Sequence, residues 1–104
     1  EYDLSLYENK KMKTDRAVAA NALKLAAARL PEIAEWNNEN LFESLKALAA
    51  ENGLKNGQIL YPLRIALSGR ETTAGGATEI AAVLGREETL ARIAAASAKL
   101  GAEA

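Results

Sequence analysis

The sequence predicts an all-α domain, a compact bundle of about five to six short helices with no sheet. Three observations predict it. Alanine (23) and leucine (15) dominate the 104 residues, whereas valine (2), isoleucine (5) and aromatics (5%) are scarce. Alanine and leucine lead the helix-propensity ranking, while strands draw on β-branched and aromatic residues. Apolar residues recur at spacings of three and four, and polar or glycine-bearing turns separate the periodic runs. A chain of this length is one domain by default, with a single modest core.

The elements follow in order. Residues 1–13 carry no sustained helical period and read as an arm entering from an upstream part of a parent protein. Tyr2, Leu4, Leu6 and Tyr7 are its candidate anchors, and residues 14–104 form the helical domain. Thr14 or Asp15 suits an N-cap. Ala19, Leu23, Ala26, Leu30 and Ile33 then make one stripe spaced 4, 3, 4, 3. Pro31 lacks an amide donor and disfavours helix in the residue before it, so a break or kink falls near Leu30. A short second piece is expected from Pro31 to Trp36, with Trp36 as a core anchor.

Asn37-Asn38-Glu39-Asn40 is a polar turn, where Asn40 has capping-box spacing to Glu43 and Asn38 competes as the cap. Leu41, Phe42, Leu45, Leu48 and Ala49 supply the next apolar face, closed by Asn52-Gly53. Asn56-Gly57 reads as a further turn. From Gln58 to Leu67 the chain is apolar on more than one side, as in a helix sandwiched in the core, with Pro62 in its first turn or kinking it. Ser68-Gly69 ends it. Residues 70–76 form a polar loop, and 77–84 a short buried helix closed by Gly85. Glu87 or Glu88 starts the last helix, with Leu90, Ile93, Ala94 and Leu100 inward. There is no internal repeat and no sustained heptad array, which predicts a monomer.

Composition excludes several classes of chemistry. The chain has no cysteine and no histidine. Disulfide frameworks, thiolate or imidazole metal sites and Ser-His or Cys-His nucleophile pairs are therefore absent. No spacing suggests a paired-carboxylate or Ser-Lys site, so no catalytic residue and no metal ligand is assigned. No run of about 18 apolar residues is present, and no signal peptide is visible, which fits a cytoplasmic setting. The chain starts at Glu1 and its one methionine is Met12, so it is expected to be a fragment of a longer reading frame.

Net charge is −1, but its distribution is uneven. Residues 10–29 carry Lys10, Lys11, Lys13, Arg16, Lys24 and Arg29 against Asp15, a local +5. Residues 30–51 hold five glutamates against Lys46, a local −4, and residues 52–70 add Lys55, Arg64 and Arg70, a local +3. The two basic stretches suit one basic face toward a polyanion, and suit ordinary solvated helix faces equally well. Lys10-Lys11-Met12-Lys13-Thr14 lacks the glycine pattern of a nucleotide-phosphate loop. Arg64 lies about 100° from the centre of its helix's apolar face. Such an arginine is either a packed structural residue or a planar fork aimed at a ligand. The loop Thr72-Thr73-Ala74-Gly75-Gly76 combines hydroxyls, glycine backbone and a helix start, which suits an anion or hydrogen-bonding site as well as a plain capped loop.

The tract YPLRIALSGRETTAGGATEIAAVLGREETLARI, residues 61–93, resembles the C-terminal region of bacterial glutamyl-tRNA synthetases. The matching segments are Pro62-Leu63-Arg64-Ile65-Ala66-Leu67-Ser68-Gly69, Thr73-Ala74-Gly75 and Leu84-Gly85-Arg86-Glu87, with Tyr7 and Lys10 to Thr14 similar to the start of that domain. Ala74 departs from the family's usual proline. The resemblance implies an all-helical anticodon-binding domain whose parent attaches glutamate to transfer RNA using ATP and magnesium in an upstream catalytic domain. This fragment would hold no cofactor. Lys11-Met12-Lys13 is not the family's ATP-site lysine loop. Carried over, Arg64, Thr73, Ala74 and Gly75 approach anticodon bases, and Lys10, Lys11, Lys13 and Arg70 are candidate phosphate contacts. The partners implied are glutamate-specific transfer RNA and the upstream domains. The alternative is a non-catalytic helical protein-interaction domain that does not bind RNA.

Overall fold

Five α-helices form where the apolar stripes lie, within 33 × 29 × 25 Å. The computed structural model describes residues 4–70, 73 and 75–103, with side chains through Gly101, so Tyr2, Thr72 and Ala74 lie outside the described residues.

Asp15 caps the first helix, its carboxylate accepting the Val18 amide at 2.8 Å, and α1 runs Arg16–Arg29. Ala19, Leu23, Ala26 and Leu30 are buried along the expected stripe. Pro31 ends it in a 3-10 turn, Leu30–Glu32. The helical piece expected as far as Trp36 does not form. Ile33 is extended, and its carbonyl accepts from the Arg86 guanidinium, while the Glu35 carbonyl accepts the Asn40 side-chain amide at 2.9 Å. These carbonyls find partners outside a helix, so nothing drives one.

The second helix, α2, runs Asn38–Glu51. Its cap is Asn37, whose side-chain oxygen accepts the Asn40 amide at 2.8 Å; Asn38 and Asn40 both lie inside the first turn. The buried face is Leu41, Leu45, Leu48 and Ala49, and Phe42, expected inward, is exposed. Arg29 ties α1 to α2 through Glu51 at 2.6 Å.

At the centre stands α3, Asn56–Ser68, in contact with each of the other four helices. It starts two residues before Gln58, so Asn56-Gly57 is its opening and not a separate turn. The Gln58 side chain explains this by accepting the Lys55 amide at 2.9 Å, satisfying a donor of the first turn. Pro62 lies in the helix interior, beyond the first turn. Ile59, Tyr61, Leu63, Ile65 and Leu67 are all buried, as a sandwiched helix requires. Gly69, at φ 70°, ends it, and Arg92 places Nη1 2.6 Å from the Leu67 carbonyl.

Helices α4 (Ala77–Leu84) and α5 (Arg86–Glu103) are separated by Gly85 alone, at φ 87° and ψ 166°, a region occupied essentially by glycine. The short helix buries Ala77, Thr78 and Ala81, but Val83 is 87% exposed. The inward side of α5 is Thr89, Ile93, Ala96 and Leu100; Ala94, expected among them, is exposed.

From Leu4 onward the N-terminal arm packs against this bundle. Leu4–Tyr7 makes a 3-10 turn with Leu4 and Tyr7 buried, and the Tyr61 hydroxyl donates to the Leu6 carbonyl at 2.8 Å. Asn9 and Thr14 then pair in an isolated antiparallel bridge, and among the described residues no strand extends it.

Candidate nucleic-acid interface

The site is built on one face of α3. Gly57, Leu60, Tyr61 and Arg64 follow at helical spacing and form the floor of a cleft of about 240 Å³. Arg64 is half-buried, its guanidinium carbon 5.5 Å from the centroid of the Tyr61 ring. That ring is itself buried and anchored by its hydroxyl, so it gives the arginine a fixed surface to lie on. One turn later Ser68 donates to the Arg64 carbonyl at 2.7 Å and accepts the Arg70 amide at 3.1 Å, shaping the exit from the helix.

One wall of the cleft is the start of α4, Gly76 and Ala77. Here the Glu79 carboxylate accepts the Gly76 amide at 2.8 Å, and the Thr73 hydroxyl donates to the Gly75 carbonyl. The hydroxyl proton of Thr73 is thus held within the loop, leaving its oxygen to accept. Gly75 borders a different depression, apolar and about 260 Å³, with Glu79, Ile80, Val83 and Leu84.

The opposite wall is Met12, at the tip of the basic turn. Its construction is specific. The Asn9 side chain accepts the Met12 amide at 3.1 Å, Lys13 donates to the Lys10 carbonyl at 3.2 Å, and Lys13 sits at φ 58°. Gln58 then donates to the Lys13 carbonyl at 3.0 Å, bolting the turn to the first turn of α3. Lys10, Lys11 and Lys13 are exposed, as is Arg70. Lys10 and Lys13 border a separate depression with Glu8, Asn9, Thr14 and Asp15.

Of the residues singled out in the sequence, the fold therefore brings Arg64 and the Lys10–Lys13 turn to one cleft, closed by the glycine next to Gly75. Lys10, Lys11, Lys13, Arg70, Thr73 and Gly75 do not line it, and Ala74 lies outside the described residues. Sequence reasoning missed Met12, Tyr61 and Gln58. One signal was available for Met12, a lone apolar side chain inside a run of lysines. Among the described residues no group of three or more acidic side chains could hold a metal ion, and no helix is long and apolar enough to cross a membrane.

An apolar cleft with a half-buried arginine on its floor, reached by Met12 from a turn of exposed lysines, suits a flat unpaired base. Residues 1–97 match the family described as Anticodon binding domain, and the chain belongs to that family. It is 44% identical over 100 residues to the glutamate–tRNA ligase of Lachnoclostridium phytofermentans, covering 96% of this chain and 20% of that protein. With the glutamate–tRNA ligases of Clostridium tetani and Clostridium acetobutylicum it shares 45% and 40% identity over 93 residues, 89% of this chain and 19% of each relative. The chain spans about a fifth of the length of these relatives.

Proposed function

We propose that this chain is the tRNA anticodon-recognition module of a class I glutamate–tRNA ligase. The parent would attach glutamate to transfer RNA in the cytoplasm. ATP and magnesium would be held by upstream domains of the same chain, to which residues 1–13 connect the helical domain, residues 14–104. The observation that carries this reading is the cleft joining Arg64, the start of α4 and the basic turn in a member of the anticodon-binding family.

The chemistry is that of single-stranded RNA. Anticodon bases are unstacked and offer a flat face and an unpaired edge. The Arg64 guanidinium suits both, stacking with its plane and donating from its fork. The Thr73 oxygen and the backbone of Ala74 and Gly75 add contacts to the same base or its neighbour. Lys10, Lys11, Lys13 and Arg70 attract phosphates without reading sequence. Affinity and specificity are thus divided between rim and floor, and a net charge of −1 is no obstacle. The module works as a monomer.

Titration with a glutamate-specific transcript and with anticodon-swapped transcripts, across a salt series, tests this. Cognate binding should be tighter and should weaken with salt. Absence of binding at every salt concentration would sink it. The apolar patch of Ile80, Val83 and Leu84 on α4, with Val83 nearly fully exposed, favours a second reading as a protein-interaction domain. That reading predicts no RNA binding at all.

A further inference from the structure

We infer that Met12 is a base-contacting residue, and that the basic turn closes the cleft into a slot for one unpaired nucleobase. This deepens the RNA-binding reading above and rests on it. Met12 stands between lysines on both sides and packs its sulfur against Gly57 of α3, yet stays 38% exposed at the cleft. Its backbone is fixed by the Asn9 side chain, and the following carbonyl is held by Gln58 of α3. The thioether is thereby set over Gly57, at the opposite end of the floor from Arg64. Along the helix axis Gly57 and Arg64 are about 10 Å apart, a rise of two turns. A flat base fits between them, with the Leu60 and Tyr61 surface beneath and its phosphates toward the lysines. A thioether is soft and polarisable and packs well against an aromatic ring.

Gly57 sets how far Met12 can sit back. A Cβ added there would lie 3.1 Å from the Met12 sulfur, closer than ordinary contact. The flexible side chain would yield, and the direction open to it is the cleft. Glycine in a helix normally lowers stability, so its presence here has a local reason in the room it leaves for the sulfur.

Met12 is the one methionine of the chain, so a methyl-13C-methionine label gives a single NMR signal that reports this slot alone. The probe is an anticodon stem–loop RNA, compared with versions made abasic at one loop position at a time and with inorganic polyphosphate. The intact stem–loop should move the methyl signal upfield by ring current. One abasic version should abolish that shift, and polyphosphate should not produce it. By fluorescence anisotropy, Met12→Ala should bind the stem–loop roughly two- to tenfold more weakly, with Met12→Leu in between. Gly57→Ala should raise the melting temperature while weakening RNA binding, and Met12→Ala with Gly57→Ala should bind no worse than Met12→Ala alone. If the RNA binds with anticodon preference but the methyl signal stays put, the slot is overturned and the recognition reading stands. If no RNA binds, both fall.

Discussion

Two arginines of this chain lie over aromatic rings at nearly the same distance, 5.5 Å for Arg64 on Tyr61 and 5.3 Å for Arg86 on Trp36. They do different work. At the second pair both partners also donate to backbone carbonyls of the bundle. The Trp36 indole donates to the Ala81 carbonyl at 2.9 Å, and the Arg86 guanidinium donates to the Ile33 carbonyl. That pair clamps the non-helical stretch after α1 onto the α4–α5 corner. At the first pair the ring is tied down and buried, and the guanidinium lies on the floor of a cleft. The contrast shows that a cation–π pair by itself identifies neither a structural joint nor a binding site. What separates them is the setting: Arg86 donates to a backbone carbonyl where two elements meet, and Arg64 lines a cleft.

The comparison can be broken in four places. The largest effect is expected for Trp36→Ala, which removes a large half-buried ring and its bond to the Ala81 carbonyl, a carbonyl that keeps the Gly85 amide. It should cost about 3 kcal/mol of stability in urea unfolding, with RNA affinity of the folded fraction unchanged. Arg64→Ala should do the reverse, costing about 1–3 kcal/mol of binding to the cognate anticodon in titrations, with the domain still folded and only about 1 kcal/mol of stability lost. An equal loss on all transcripts would make Arg64 a phosphate contact instead. Tyr61→Phe keeps the ring under Arg64 but removes the bond to Leu6. About 1 kcal/mol of stability should go, read by thermal or urea unfolding, while RNA binding persists. Arg86→Ala is the mildest, at about 0.5–1 kcal/mol of stability because the guanidinium is exposed, and should leave the RNA titration unchanged.

Much of the fold was legible because its signals are local. The Ala19–Leu30 stripe, the break at Pro31 and the glycines at 53, 69 and 85 each act within one or two turns of their own position. Legibility failed where several residues could play one part. In Asn37-Asn38-Glu39-Asn40 three asparagines compete to cap, and the choice of Asn37 is fixed by the Asn40 side chain reaching back to Glu35. In α5 the run Ala94-Ala95-Ala96 carries no phase, so the buried member could not be picked from hydrophobicity. Asn56-Gly57 looks like a turn until the Gln58 side chain is seen capping it. For the site, Arg64 stood out as a cation among apolar neighbours. Met12, far away in sequence, reaches the same cleft through tertiary bonds, Gln58 to Lys13 and Tyr61 to Leu6.

The bond from Arg92 to the Leu67 carbonyl has a consequence for the order in which the chain becomes competent. Helix α3 carries the floor of the cleft, yet its C-terminal end is finished by a side chain from the last helix, 25 residues later. Helix α3 therefore has its full set of neighbours only once α5 has emerged and packed against α1 and α3. Domains fold as units during synthesis. Here the floor of the cleft is completed together with the closing of the core.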